Sequence, residues 1–418
     1  MKKFLTVALS ALLVGTAFGL SAERKASVKT SGRATPGGDR YVVVLSLDGF
    51  RDDYQTRANT PNLDAIDREG LSGSFRPCYP SLTFPNHYAM ATGLHPDHHG
   101  IIGNEFWDEQ GNRYALGDRK SVENPAFYQG EPLWNTAKRQ GVHTASFYWV
   151  GSETKINGSQ PDRWKKYDSK VPFRDRADSV LTWLNLPATE RPHLIMWYLE
   201  EPDHTGHTYS PEAAETSRMI ERVDSVVGYF REGLKKLPHG KQVDFILVSD
   251  HGMARFDKER LINLADYLPI DSFTHVGTGP FTHLYPKAGY TDTALKILRG
   301  IKGIKAYKKS ELPARLHFGT NPRIGEIVVM PEVGRTVYFR PDGVDTTKVL
   351  AAGHGFDNAY PEMYALFKAV GPHFQAGTKL VDPIPNITLY PLVCQILGIK
   401  PAPHDASETL AKSLMKHN

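Results

Sequence analysis

Cysteine is almost missing from this chain: Cys78 and Cys394 are the only two in 418 residues. No cysteine-based metal motif is present, so any metal would have to be held by histidine and carboxylate ligands. One disulfide or two buried thiols remain open, because a single pair cannot be assigned from sequence. Charge of one sign is also scarce. The formal net charge is +4, and without the two lysines of the leader it falls to about +2, too little to argue for binding of nucleic acid or an anionic membrane surface. Internal repeats and low-complexity tracts are absent as well.

The N-terminus reads as an address. Lys2 and Lys3 precede the apolar run FLTVALSALLVGTAFGL, and small residues follow at Ser21 and Ala22. This is the pattern of a cleavable secretory signal over residues 1–22. A single membrane anchor is the rival, since the run is near the lower length for spanning a bilayer. No cysteine follows to carry a lipid. The expectation is an exported, periplasmic or extracellular protein with no stable membrane anchor. Residues 23–40 are polar and read as a flexible linker. Asn157-Gly-Ser159 and Asn386-Ile-Thr388 match glycosylation acceptors, a triplet that often arises by chance.

From Tyr41 onward, apolar runs alternate with helix-like stretches. Hydrophobic content of 40% and aromatic content of 11% suffice for a substantial core. Met219, Ile220, Val223, Val226, Val227, Phe230 and Leu234 recur at helical spacing between Pro211 and Leu237, and Pro238 ends the pattern. Strand–helix–strand alternation predicts an α/β fold, a mainly parallel sheet with helices on both faces. The texture changes between about Leu268 and Val344, where FTHLYPK, ALKILRGIKG and GEIVVMPEVG suggest a small inserted α+β subdomain. The core would then comprise residues 41–267 and 345–418.

Three strand-like runs end on acids: YVVVLSL before Asp48, HLIMWYLEEP before Asp203, and VDFILVS before Asp250 and His251. Open α/β sheets bind ligands at the carboxyl rim of their strands. His207 follows Asp203 at a spacing that one helical face could present, although Pro202 and Gly206 favour a loop there. With His354 in GHGFDN, three Asp and three His would suffice for two zinc-like sites. Each pair alone is more often a surface or capping group. Their recurrence at successive strand ends shifts the balance.

Thr83 precedes Phe84-Pro85 and a helical run, which places it near a helix N-cap. A hydroxyl there, beside a divalent metal, would instead be an activated nucleophile. Asn104, in a GIIGN turn, could donate to a phosphoryl oxygen; its ordinary role is structural. His87, His95, His98 and His99 crowd the same stretch and read as structural or supporting groups.

YVVVLSLDGFR, TPNLDAIDREG, FPNHYAMATGLHPDHHGIIGN, EEPDHTGH, VSDHGM and GHGFDN together resemble the nucleotide pyrophosphatase/phosphodiesterase family of the alkaline phosphatase superfamily. YALFKAVGPHF and YPLVCQILGIKPAPHD extend the resemblance to Asp405. It implies an alkaline phosphatase-like core, two zinc ions and a phospho-threonine intermediate. One zinc would be held by Asp203, His207 and His354. The other would be held by Asp48, Asp250 and His251, with Thr83 as nucleophilic ligand. Asn104 matches a phosphate-oxygen ligand, and Phe84 and Tyr167 fall where the family stacks a nucleobase. Tyr198 could line the same pocket, with core packing as its ordinary role, and packing is also the alternative for Tyr167. The implied partner is a small-molecule phosphodiester, a nucleotide in the first instance. Lysophospholipid-type or glycerophosphodiester substrates and a phosphomonoesterase activity are the alternatives. A sulfatase is disfavoured because no Cys/Ser-x-Pro-x-Arg signature surrounds Thr83. A phosphoglycerate mutase is disfavoured by the leader and the threonine. A catalytically dead binding protein would not be expected to keep the whole ligand set.

Overall fold

The computed structural model describes residues 38–416. The expected leader, and the expected linker up to residue 37, lie outside them. Seven strands build the main sheet: β1 (Tyr41–Leu47), β2 (Leu71–Arg76), β3 (Thr144–Phe147), β4 (Arg163–Lys165), β5 (Leu194–Leu199), β6 (Val243–Val248) and β7 (Ala365–Val370). Their spatial order is β2-β7-β6-β1-β5-β3-β4, and the short strands Thr378–Lys379 and Ile384–Pro385 pair with β2. β1 pairs in parallel with both β5 and β6, and β3 with both β5 and β4. β7 runs antiparallel to its neighbours β6 and β2. The sheet is thus mainly parallel.

β1 is apolar along nearly its whole length because both of its faces are covered. Successive side chains leave opposite faces. Val42 and Val44 enter one core with Tyr88, Trp134 and Leu392. Val43, Leu45 and Leu47 enter the other with Val180, Val223 and Phe230. Helices α1 (Thr83–Thr92) and Leu389–Leu397 supply the first layer; Phe173–Leu184 and α3 (Ala214–Lys236) supply the second, with α2 (Asp203–Tyr209) leading into α3. The α3 stripe of Ile220, Val223, Val226, Val227, Phe230 and Leu234 is buried. Each such side chain contributes roughly 1.5–3 kcal/mol. Asp224 on α3 accepts from Leu63 N at 2.8 Å and Asn62 Nδ2 at 2.7 Å. It thereby caps the helix Pro61–Glu69 from outside.

A second, antiparallel sheet joins Phe273–Val276, Thr282–Pro286, Ile327–Pro331 and Ile304–Lys308 in that order. It has its own apolar core, with Leu284, Leu295, Leu298, Ile327 and Val329. Asp97 ties the following loop to the main sheet's helices, accepting from the backbone of Gly319 (3.0 Å) and Asn321 (3.0 Å). Cys78 and Cys394 are both free and buried, so the two-thiol alternative holds. Asn386 is fully buried and cannot serve as a glycosylation acceptor in the folded chain.

Candidate active site

The order β6-β1-β5 explains why three distant acids meet. Asp48 follows β1 directly, Asp250 lies just past β6, and Asp203 begins α2 after β5. Asp48 N donates to Leu199 O and Asp203 N to Asp48 O, both at 3.0 Å, which ties the β1 and β5 ends together. Gly49 has φ +63°, and a Cβ on it would stand 2.8 Å from Asp203 Cβ. Only glycine permits that turn and that approach. Its N–H also holds Asp250 Oδ1 at 3.1 Å. Because β7 is antiparallel, the chain entering it approaches from the same rim. Ala352 and Gly353 pair with Arg255 and Ala254, which brings His354 beside the Asp250-His251 segment.

Two ligand groups result: Asp203, His207 and His354, and Asp48, Asp250 and His251. His354 Nε2 lies 3.1 Å from His207 Nε2 and 3.5 Å from Asp203 Oδ1. His251 Nε2 lies 3.0 Å from Asp250 Oδ2 and 3.5 Å from Asp48 Oδ1. The His251 and His354 rings stack with centroids 3.5 Å apart, so the groups abut.

The donor set fits metal ions. Asp48 Oδ1, Asp203 Oδ1 and Asp250 Oδ2 are buried and receive no hydrogen bond. His87 Nδ1 stands 3.2 Å from Asp250 Oδ2, but its hydrogen bond goes to Thr83 O at 2.9 Å. Nδ1 of each cluster histidine faces a backbone carbonyl: His207 that of Ala352 (2.8 Å), His354 that of Ser81 (2.9 Å) and His251 that of Gly252 (2.9 Å). With Nδ1 donating, every Nε2 lone pair points into a cluster, the tautomer a metal requires. Burial, with the Asp250 and Asp203 charges, pushes the Asp48 carboxyl well above its ordinary range. Burial also raises Asp250, but His251 and His87 outweigh it and hold that carboxyl well below its usual range. Burial and the neighbours His251 and His207 keep His354 well below the imidazole range, hence neutral. Burial lowers His251, but the Asp250 and Asp203 carboxylates outweigh it and raise it above the ordinary imidazole range. A pocket of buried carboxylates with unpartnered oxygens is costly without a cation.

Thr83 is the first residue of α1. Leu82 occupies the N-cap, and its side chain makes no capping hydrogen bond. The Thr83 hydroxyl lies instead 3.1 Å from His251 Nε2. The capping alternative for Thr83 is therefore not the role it has. Part of that role falls to Asn104, whose Oδ1 accepts from Phe84 N at 3.0 Å. This bond leaves the Asn104 amide as the free donor group. Asn104, Thr83, Phe84, Tyr167 and Tyr198 all line one cavity of about 330 Å³, together with Asp48, Asp203, His207 and His354.

A model of the type I phosphodiesterase/nucleotide pyrophosphatase family matches residues 42–357. The chain belongs to this family. Ectonucleotide pyrophosphatase/phosphodiesterase family member 1 of Homo sapiens is 37% identical over 390 residues, covering 90% of this chain and 42% of its own length. A venom phosphodiesterase of Crotalus durissus collilineatus is 36% identical over 388 residues, 90% of this chain and 46% of its own. The chain spans about half the length of these curated relatives. Among solved structures, human ectonucleotide pyrophosphatase/phosphodiesterase 5 superposes with a TM-score of 0.86 at 30% identity, covering 90% of this chain and all of that one. The inactive threonine-to-alanine form of the murine protein, in complex with AMP, gives 0.85 at 31% identity, again over 90% of this chain and 100% of that one.

Several features of this family member escape pattern reading. Asp203–Tyr209 is a helix, not the loop that Pro202 and Gly206 suggest. Glu201 Oε2 accepts from Thr205 N at 3.0 Å and supplies the missing cap. Gly206 earns its place because the helix runs close under Met253 and Tyr54. Tyr198 does more than line the cavity: its hydroxyl donates to Asp48 Oδ2 at 2.6 Å. Tyr148, Trp149, Arg119 and Glu153 also line it. Glu153 accepts from Tyr167 N at 3.0 Å and pairs with Arg119. A signal for the last group existed only in charge, which does not mark a pocket. His87 supports the site through Ser46 Oγ (2.8 Å) and Thr83 O. His98 pairs instead with Asp405, and His99 with Pro85 O.

Proposed function

We propose that this chain is an exported zinc-dependent phosphodiesterase and nucleotide pyrophosphatase that works through a phospho-threonine at Thr83. The observation that carries the reading is the pair of buried clusters with unpartnered carboxylate oxygens beside the Thr83 hydroxyl. Asp203, His207 and His354 would hold one zinc ion, and Asp48, Asp250 and His251 the other, with Thr83 beside the second. When bound, the two ions supply Lewis-acid stabilisation of phosphoryl charge and a lowered proton affinity for the Thr83 hydroxyl.

Thr83 Oγ1 bonds to phosphorus as the bond to the leaving oxygen breaks, and that oxygen takes up a proton. Water then bonds to phosphorus, the bond to Thr83 breaks, and the hydroxyl is restored. The Asn104 amide donates to a non-bridging oxygen. Phe84 and Tyr167 stack on the base of a nucleotide substrate. The AMP complex of the murine relative supports this placement, as its inactivity with alanine for threonine supports the role of Thr83. Residues 41–267 and 345–418 would be the catalytic core and 268–344 the insert. Export agrees with the ectoenzyme and venom names of the relatives, and no helix of the described residues is long and apolar enough to cross a membrane.

The test is hydrolysis of an aryl nucleotide diester before and after chelation, with metal content measured. Turnover should vanish with the chelator and return with zinc, at two ions per chain. Full activity in metal-free protein would refute the proposal.

A further inference from the structure

His87 lies one turn after Thr83 on α1 and is fully buried. It belongs to neither ligand group and does not line the cavity. Its Nδ1 stands 2.9 Å from Thr83 O and 3.2 Å from Asp250 Oδ2. A carbonyl and a carboxylate only accept, so the ring carries its proton on Nδ1. Nε2 then accepts from Ser46 Oγ of β1 at 2.8 Å. Two rings hold the imidazole edge-on: Trp149 with centroids 5.3 Å apart at 76°, and Tyr198 with centroids 5.1 Å apart at 84°. Trp149 Nε1 also donates to His87 O at 3.0 Å.

The bond to Thr83 O has a counterpart. The carbonyl of Thr83 and the N–H of Phe84 belong to one planar peptide unit. His87 holds its oxygen, and Asn104 Oδ1 accepts from its N–H at 3.0 Å. A plane gripped at both ends resists tilting, and it is attached to the Cα from which the Thr83 hydroxyl projects. That hydroxyl lies 3.1 Å from His251 Nε2. Asp250 faces the same Nδ1–H, so the grip is referenced to the cluster beside which Thr83 sits. A misplacement of about 1 Å in a reacting group can cost on the order of a hundredfold in rate.

We propose that His87 is a positioning residue for the threonine attack. Its Nδ1–H ties the peptide after the nucleophile to Asp250 and so fixes the direction of the Thr83 hydroxyl. The role rests on the proposed threonine attack.

Three variants separate this role from core packing. The amide of His87→Asn places an N–H close to the Nδ1 position, that of His87→Gln reaches the Nε2 position instead, and His87→Leu has neither. Each is assayed on an aryl nucleotide diester at saturating zinc. Bound zinc, the thermal midpoint and the inhibition constant of a nucleoside monophosphate are read alongside. The glutamine and leucine variants should lose at least about tenfold in kcat/KM, with two zinc ions bound and the inhibition constant within about twofold of the wild type. The asparagine variant should recover most of that loss. Wild-type kcat/KM in the leucine variant, equal losses with asparagine and glutamine, or a loss that follows zinc content or monophosphate binding overturns the role. Should the leucine variant not fold, the asparagine–glutamine comparison decides alone. Thr83→Ala is run in parallel: if it keeps wild-type turnover, the threonine attack itself falls and this role with it.

Discussion

The Tyr198 hydroxyl donates to one oxygen of Asp48 and leaves the other, Oδ1, buried and unpartnered toward the cluster. The bond orients the carboxylate and stabilises its ionised form, which burial and two neighbouring carboxylates oppose. Partners of this kind are worth about 10–100-fold in metal affinity or activity. Tyr198→Phe should therefore lose roughly tenfold in turnover at limiting zinc and recover part of it at excess zinc. Titrating zinc against activity checks this; an unchanged zinc dependence would reduce Tyr198 to packing. Asp48, Asp250 and His251 were legible because each ends an apolar run. The Tyr198 contact was not, because alternation along a strand tells which face a side chain takes, not which acid waits at the rim.

At the level of elements, helix ends carry information that spacing alone misses. α3 was readable from its stripe: the pattern spans Pro211–Leu237 and the helix Ala214–Lys236. α2 was misread because proline and glycine disfavour helix in isolation, whereas Glu201 caps it and packing against Met253 suits a residue without a side chain. Asp224 is a buried acid on an otherwise apolar face and looks like a flaw in the α3 stripe. It caps the helix Pro61–Glu69 across the interface. Asp224→Ala should cost about 1–2 kcal/mol of stability while leaving kcat near that of the wild type. Denaturant unfolding with parallel kinetics would test it; an unchanged midpoint would contradict the capping role.

For the whole molecule, the sheet order is what turns a scattered sequence pattern into one site, and the same geometry bears on substrate choice. Arg51 follows Asp48 closely but turns away, bound to Asp53 at 2.7 Å and to Met253 O at 3.1 Å. Arg119 lines the aromatic cavity but is engaged by Glu123 and Glu153. No free cation remains there, among the described residues, for the extra charge of a monoester dianion. An aryl nucleotide diester should exceed the matching aryl phosphate in kcat/KM by at least about tenfold; equal or better monoester turnover would promote the phosphatase reading. The central claim is that Thr83 attacks phosphorus between the two ligand clusters, and replacing that one hydroxyl tests it most directly. With Thr83→Ala, diester turnover should fall at least about a thousandfold while metal content stays close to that of the wild type, and Thr83→Ser should retain measurable activity. Near-normal turnover by the alanine variant, with metal bound, would contradict the account.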